Sequence, residues 1–240
     1  DPNMLLMLSY RPGTDAGARM GTRPEEHIMT TFHLSAKQLA SLATLTHAGS
    51  KDKVTPILGA VQITVTPATV TAHATDRYIA AALTFPLGVT AHTLPDDGVT
   101  LVIDGPDLIA LAKDKCGFML TWDDTGDGPA LITAEGDAYG VRRAFHTVAG
   151  NYPPIARLFP DETPDDIPGG VLLNMQLLGR LAKLTLPGER PVDAGKAPYA
   201  LMYRDPQSTY GKHGPILATR EDRDGAVLRV LTQPSIRTAA

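Results

Sequence analysis

Cysteine, aromatic side chains and surplus charge are all scarce in this chain of 240 residues. The single cysteine, Cys116, excludes an internal disulfide and a cysteine-rich zinc site, which fits a reducing cytoplasm. Lysine and arginine number 22 against 26 aspartates and glutamates, so the net charge of -4 gives no overall basic excess for a polyanion. The longest apolar run near the start, Met4 to Leu8, is too short to cross a bilayer. We therefore expect a cytoplasmic protein without a membrane partner.

Motifs of catalysis are also missing. The sequence has no glycine-rich phosphate loop, no G-x-S-x-G turn and no H-E-x-x-H helix. Cys116 has no obvious histidine or asparagine partner, so we interpret it as a small, partly buried side chain that fills space. These absences favour a binding protein over an enzyme, and we expect no catalytic residue, no metal and no cofactor.

Two weaker patterns keep other chemistries open. His73 and Asp76 lie three apart in a segment of alternating polarity, so they point to opposite faces, yet a small hydrolase using them is the enzyme alternative. Asp123 and Asp127 resemble the start of a calcium loop, but the acid required at its end falls on Ala134. A hairpin turn is the preferred interpretation there.

A pattern recurs three times between Phe32 and Leu231: an apolar strand, a helix of about three turns, and strands separated by Gly, Asp or Pro turns. The helices are predicted to begin after Ser35, after Asp104 and at Met175, the last extending to about residue 185. Their strands alternate between apolar and polar residues, which predicts one buried face. The pattern predicts an α+β fold with antiparallel sheets and helices on one face.

The same pattern divides the chain. Residues 1–30 have no periodicity and are predicted to be a flexible N-terminal extension, with Met29 as a possible true start. Residues 31–150 are predicted to form a complete domain, and residues 169–240 a second, reduced domain. Between them, residues 151–168 are predicted to be an extended connector, because Pro153 and Pro154 cannot donate the hydrogen bonds of a central strand.

Five short segments of the sequence, here called words, resemble in their order the bacterial sliding clamp family, the beta subunit of DNA polymerase III, over residues 31–236. They are Phe32-His33-Leu34, Thr55-Pro56-Ile57-Leu58-Gly59-Ala60-Val61, Ala74-Thr75-Asp76-Arg77-Tyr78-Ile79-Ala80, Tyr152-Pro153-Pro154-Ile155-Ala156-Arg157-Leu158-Phe159-Pro160 and Leu228-Arg229-Val230-Leu231-Thr232-Gln233-Pro234. The resemblance implies a DNA-clamp fold, in which each domain has two strand-helix-strand halves. Helices line a central hole and sheets lie outside. Residues 31–150 match one whole domain and the remainder only one further half.

The resemblance implies a processivity factor from a phage or a bacterium. Such a protein encircles double-stranded DNA as an oligomer and tethers a replicative polymerase. The alternative is a truncated clamp paralogue that binds polymerase or clamp-loader peptides as a regulator or decoy without encircling DNA. If the ring holds twelve halves, four chains of three halves complete it; a final domain counted as whole gives three chains.

DNA contacts in such a ring are expected from sparse basic side chains on the helix faces. The candidates are Lys37, Lys113, Lys115, Arg180 and Lys183. For Arg180 and Lys183, a solvated surface without DNA is the alternative.

A cleft for short peptides of polymerases and loaders is the second implied site. By matching words, its residues are Thr75, Arg77, Tyr78, Ile79, Pro153, Arg157, Leu158, Gln233, Pro234, Ser235 and Ile236. The alternative is that Tyr78 and Ile79 are ordinary strand residues and that Pro153 belongs only to a linker.

Overall fold

The computed structural model describes residues 29–52, 54–88, 92–123, 128–138, 140–159, 175–190, 200–203 and 216–232. Residues 1–28 of the predicted extension lie outside them, but Thr30, which that prediction includes, begins the first strand. The apolar strand expected to open the third repeat, at residues 171–174, also lies outside the described part. Helices within the described part are α1 (Ala36–Thr44), α2 (Gly105–Lys113) and α3 (Met175–Leu181). Strands are β1 (Thr30–Leu34), β2 (Val61–Val65), β3 (Thr69–Thr75), β4 (Ile79–Pro86), β5 (Val99–Ile103), β6 (Phe118–Asp123), β7 (Leu131–Gly136), β8 (Arg142–His146), β9 (Ala200–Tyr203), β10 (Ile216–Glu221) and β11 (Val227–Thr232).

The strands form two antiparallel sheets that exchange their first strands. One sheet has the order β1-β6-β7-β8, and the other has the order β5-β2-β3-β4-β11-β10-β9. The first strand of each of the first two repeats therefore pairs with the second strand of the other repeat. Because of this exchange, the two repeats form one body, whose helices α1 and α2 pack together.

The helices begin where local sequence directs them. At α1, Ser35 Oγ accepts a hydrogen bond from Gln38 N at 3.4 Å, and Gln38 Oε1 accepts one from Ser35 N at 2.8 Å. This reciprocal pair is a capping box. At α2, Asp104 Oδ1 accepts a hydrogen bond from Gly105 N at 2.9 Å, and Pro106 occupies the first turn. Both predicted helix starts are confirmed.

The third helix is shorter than predicted. α3 ends at Leu181, because Lys183 N and Leu184 N donate to carbonyl oxygens three residues back, those of Arg180 and Leu181. The chain then extends, and Thr185 N donates to Thr44 Oγ1 on α1 at 3.1 Å. Packing against α1 therefore replaces the last helical turn that the periodicity predicted.

The predicted single buried face is wrong for β4. Ala81 and Leu83 face the main core with the helices, but Ala80 and Ala82 on the other face are buried as well. There they meet Ile155 from the connector. Small alanine side chains let this second layer approach closely, so β4 is covered on both sides.

That second layer also revises the connector. Residues Ile155–Leu158 form a 3-10 turn instead of an extended segment. Ile155 and Phe159 are buried against the sheet with Leu217 and Leu231. We call this face of the seven-stranded sheet the outer face, since the helices pack on the opposite one.

The third repeat continues the sheet of the first. β11 pairs antiparallel with β4 over six positions, from Val227 opposite Thr84 to Thr232 opposite Ile79. The last strands of two repeats are thus hydrogen-bonded neighbours. Within the described residues, no helix is long and apolar enough to span a bilayer.

Candidate functional site

A cleft of about 540 Å3 lies where the first repeat, the connector and the third repeat meet. Its lining is mainly apolar and comes from the β3–β4 turn, the 3-10 turn Pro56–Gly59, the connector and the end of β11. The lining residues are Thr55, Ile57, Leu58, Thr75, Arg77, Tyr78, Ile79, Ala80, Asn151, Pro153, Ile155, Leu158, Leu231 and Thr232. Concave apolar surfaces with a few polar groups are typical of ligand sites.

Hydrogen bonds of Asp76 and Thr75 shape the β3–β4 turn. Asp76 Oδ1 accepts hydrogen bonds from Tyr78 N and Ile79 N, both at 2.9 Å. Thr75 Oγ1 donates to the Ile79 carbonyl oxygen at 2.8 Å and accepts from Arg77 N at 3.1 Å. These bonds hold Arg77 at φ 80°, a left-handed conformation that L side chains rarely adopt. The turn thereby leaves Tyr78 68% exposed at the rim of the cleft.

The connector supplies the opposite wall. Tyr152 Oη donates a hydrogen bond to the His73 carbonyl oxygen at 3.1 Å, which fixes the connector to β3. Burial raises the pKa of Tyr152, so the phenol stays protonated and available as a donor. Ile155 is buried below it, whereas Leu158 is 50% exposed at the cleft. This wall is therefore fixed to the sheet through Tyr152 and exposes an apolar side chain, Leu158, at the cleft.

Six of the predicted cleft residues come together in this cavity. They are Thr75, Arg77, Tyr78, Ile79, Pro153 and Leu158. Arg157 is exposed next to the cleft but does not line it. Gln233, Pro234, Ser235 and Ile236 lie outside the described residues. For every predicted cleft residue, a role in peptide binding stays a prediction.

The floor and one wall of the cleft have no recognisable signal in the sequence. Ile57 and Leu58 belong to a word that carried the family resemblance, but nothing in their spacing marked them as a binding surface. Leu231 and Thr232 reach the cleft only because β11 pairs with β4. Contacts of this kind connect distant parts of the sequence and have no local signal.

The basic residues divide into two groups. Lys37, Lys113, Lys115 and Lys183 are exposed, as their predicted role requires. Lys37 lies on α1 with its aliphatic part beside Gly188, and Lys113 closes α2. Whether they contact DNA stays a prediction.

Arg180 is different, and the expectation that it lies on a solvated helix face is wrong. Its side chain is 25% exposed, and its Nη1 is 2.5 Å from Asp76 Oδ2. Its Nε donates to the His47 carbonyl oxygen at 2.6 Å, and its Nη2 donates to the Gly49 carbonyl oxygen at 3.4 Å. The guanidinium is thus used to join α3 to two loops of the first repeat.

The residues of the enzyme alternative contact different partners. Asp76 is held by Arg180 and by the turn it shapes. His73 is buried on the outer face, with its ring centroid 6.2 Å from that of Phe159 and Nδ1 without a hydrogen-bond partner. Burial lowers the pKa of His73. His73 and Asp76 therefore do not form a catalytic pair.

No metal site is evident in the part of the chain that the structure describes, since no three His, Cys, Asp or Glu side chains gather there. Asp123 ends β6, which pairs antiparallel with β7, as the preferred hairpin interpretation requires. Residues 124–127 between them lie outside the described part.

Similarity to known proteins is found at the level of structure. No family model and no curated protein matches the chain. Among solved structures, the Pseudomonas aeruginosa DnaN sliding clamp bound to griselimycin is 15% identical, with 86% of this chain and 65% of that one covered at a TM-score of 0.56. The H. pylori beta clamp in complex with diflunisal is 13% identical, with 87% and 66% covered and a TM-score of 0.56. The chain has the sliding-clamp fold.

The sliding-clamp resemblance and the α+β fold class are therefore confirmed. The match to the Bacillus subtilis DNA polymerase sliding clamp covers 89% of this chain but 52% of that one, at 18% identity and a TM-score of 0.45. This clamp-fold chain thus spans about half to two thirds of the length of the clamps it matches.

Proposed function

We propose that this chain is a DNA sliding clamp, which encircles duplex DNA as an oligomer and tethers a replicative polymerase through its cleft. The observation that carries the proposal is the position of the cleft. Ala80, Ile155 and Leu231 line it and belong to the outer face of the seven-stranded sheet, opposite the helices. A protein bound there leaves the helix side unobstructed for DNA.

The cleft fits a short apolar peptide segment of a polymerase or clamp loader. Tyr78 and Leu158 are large exposed side chains that both line the cleft, and a peptide covering both would bury apolar area that water now contacts. Aromatic anchors of this kind dominate the affinity of many interfaces. No Ser, Cys, His, Asp or Glu is among the described residues that line the cleft, and we propose no catalytic role.

DNA binding is assigned to the exposed lysines on the helix side, Lys37, Lys113 and Lys115. Sliding requires contacts to phosphates and few contacts to bases, because base contacts would fix the register. Scattered lysines satisfy this requirement, since each is a point charge on a flexible stem. The resulting affinity is weak and falls as the salt concentration rises.

Self-association is supported by one edge of the four-stranded sheet, at β8, which within the described residues pairs with no strand other than β7. β8 ends that sheet, and its Arg142, Arg143, Ala144 and His146 are exposed. β8 is the last strand of the second repeat, as β4 and β11 are of the first and third, and those two pair with each other. An unpaired edge strand is a template for another chain. We infer that β8 pairs with a second copy in the ring.

The second candidate is a truncated clamp paralogue that binds polymerase or clamp-loader peptides as a regulator without encircling DNA, favoured by a cleft whose lining residues all come from this one chain and need no second copy. Molar mass measured by light scattering at tens of micromolar protein separates the two. A sliding clamp is expected to have the mass of three or four chains. A monomer at this concentration would contradict ring formation and support the regulator.

A further inference from the structure

A second cavity of about 520 Å3 adjoins the cleft. The two cavities share Leu58, Arg77 and Tyr78 as lining residues. The second one extends between the loop after α1 and the end of α3. A ligand lying across the β3–β4 turn can therefore reach both cavities at once.

The second cavity differs from the first in polarity: the first is lined mainly by apolar side chains, whereas cationic side chains line the second. Lys51, Arg77 and Lys183 line it and are exposed. Within the described ranges, no ion pair joins any of the three to an acid. Asp76 also lines the cavity, but its carboxylate is already paired with Arg180. One further acid, Asp52, is exposed at the edge, where its Oδ1 accepts a hydrogen bond from Val54 N at 2.9 Å.

The convergence of these charges is visible at His47. Burial lowers the pKa of His47, and the positive charges of Lys183, Lys51 and Arg180 lower it further. Three cations from two separate repeats thus act on one imidazole. This places an excess of positive potential in a concave site, where an anion is attracted more strongly than on a flat surface.

The frame of this cavity is held in place before any ligand arrives. Arg180 connects α3 to the carbonyl oxygens of His47 and Gly49 and to the Asp76 carboxylate. On the shared wall, Arg77 Nη2 donates to Thr55 Oγ1 at 3.2 Å, which directs the side chain along the boundary between the cavities. The loops around the cavity therefore need little ordering when a ligand binds, and preorganisation of this kind raises affinity.

We propose that the second cavity binds acidic side chains of the same peptide whose apolar residues occupy the cleft. The preferred partner is then an extended peptide with an apolar anchor flanked by Asp or Glu. This inference rests on the proposed function of the cleft. A DNA phosphate is the less favoured anion, because it would need no apolar surface beside the cations.

Fluorescence anisotropy with two pairs of labelled ten-residue peptides tests the proposal. All four peptides carry one Leu-Phe anchor; three Asp residues precede it in one pair and follow it in the other, and the control of each pair has Asn at those positions. Exposed ion pairs are individually weak, so two or three of them are expected to strengthen binding of one acidic peptide by about threefold to thirtyfold over its Asn control.

Paired variants locate the effect. Lys51→Gln with Lys183→Gln is expected to abolish the preference for Asp while leaving the affinity of the Asn peptides unchanged. The matched control, Arg190→Gln with Arg223→Gln, removes the same charge from two exposed residues that do not line the cavity, and it is expected to keep the preference.

The possible failures are distinguishable. Equal affinity of the acidic and neutral peptides would overturn this inference and leave the cleft as a peptide site. Failure of all four peptides to bind would overturn both the cleft and this inference. If the Lys51 and Lys183 double variant keeps the preference for Asp but loses duplex DNA association, the cations face DNA, and the inference is wrong.

Discussion

Arg180 and Asp76 form an ion pair with 2.5 Å between Nη1 and Oδ2, although they lie 104 positions apart in the sequence. Asp76 shapes the turn that presents Tyr78 at the cleft, and Arg180 belongs to the helix of the third repeat. The pair therefore couples the docking of the third repeat to the geometry of the candidate binding site.

Removing this arginine is expected to destabilise the fold. Arg180→Gln leaves the Asp76 carboxylate, which is only 15% exposed, without its cation and frees two carbonyl oxygens. Lost hydrogen bonds to charged groups predict a decrease of about 1.5–3 kcal/mol in the free energy of unfolding, measured by urea titration. Lys183→Gln, the matched change at an exposed neighbour, should cost under about 0.5 kcal/mol. Similar small effects for both variants would show that Arg180 is only solvated surface.

The cleft is expected to lose peptide binding when its rims are truncated. Tyr78→Ala combined with Leu158→Ala removes the two exposed anchors. We expect the dissociation constant of a Leu-Phe peptide, measured by fluorescence anisotropy, to rise at least about tenfold. The fold should be unaffected, because neither side chain is buried. Ile109→Ala on α2 is the control, as it removes an exposed apolar side chain elsewhere. A loss of the same size in the control would contradict a specific site.

DNA association should weaken when the lysines of the helix side are neutralised. Lys37→Gln with Lys113→Gln removes up to two phosphate contacts, so the slope of log affinity against log salt should fall by about one to two. The loss should be the same for duplexes of any sequence. Binding measured by filter retention over a salt series checks it. An unchanged slope would place both lysines away from DNA.

Acid is expected to destabilise the connector through His73. Because burial lowers the pKa of His73 below its ordinary 6.5, the unfolded chain binds the proton more readily than the folded one. Its contribution is complete above about pH 7, and stability falls below about pH 6.5 by at most about 1.4 kcal/mol per pH unit. Urea titrations at pH 7 and 5.5 should show a smaller fall for His73→Leu than for the wild type. His146→Leu changes an exposed histidine and is the control. If it reduced the fall in stability between pH 7 and 5.5 as much as His73→Leu does, a specific role for His73 would be contradicted.

Much of the fold follows from local patterns in the sequence. Ser35 with Gln38 and Asp104 with Pro106 are local signals, and the helices begin where these residues place them. The end of α3 was predicted too late, since its apolar period continues to Leu184 while Thr185 is drawn to Thr44 on another helix. The periodicity of a local segment contains no information about a competing contact with a distant part of the chain.

The candidate site was predictable only in the parts that lie within single sequence words. Tyr78 and Pro153 were named from such words. Leu231 enters through the pairing of β11 with β4, and Arg180 turns toward Asp76 instead of solvent. Both depend on how the third repeat docks on the first, which no local pattern specifies.

Encirclement of DNA is the central claim, and retention on circular DNA tests it most directly. The protein is mixed with nicked circular plasmid, separated from free protein by gel filtration at elevated salt, and then half of the complex is cut once with a restriction enzyme. A ring is expected to stay on the circle and to slide off the cut molecule. Equal recovery on the two forms, including none on either, would contradict encirclement.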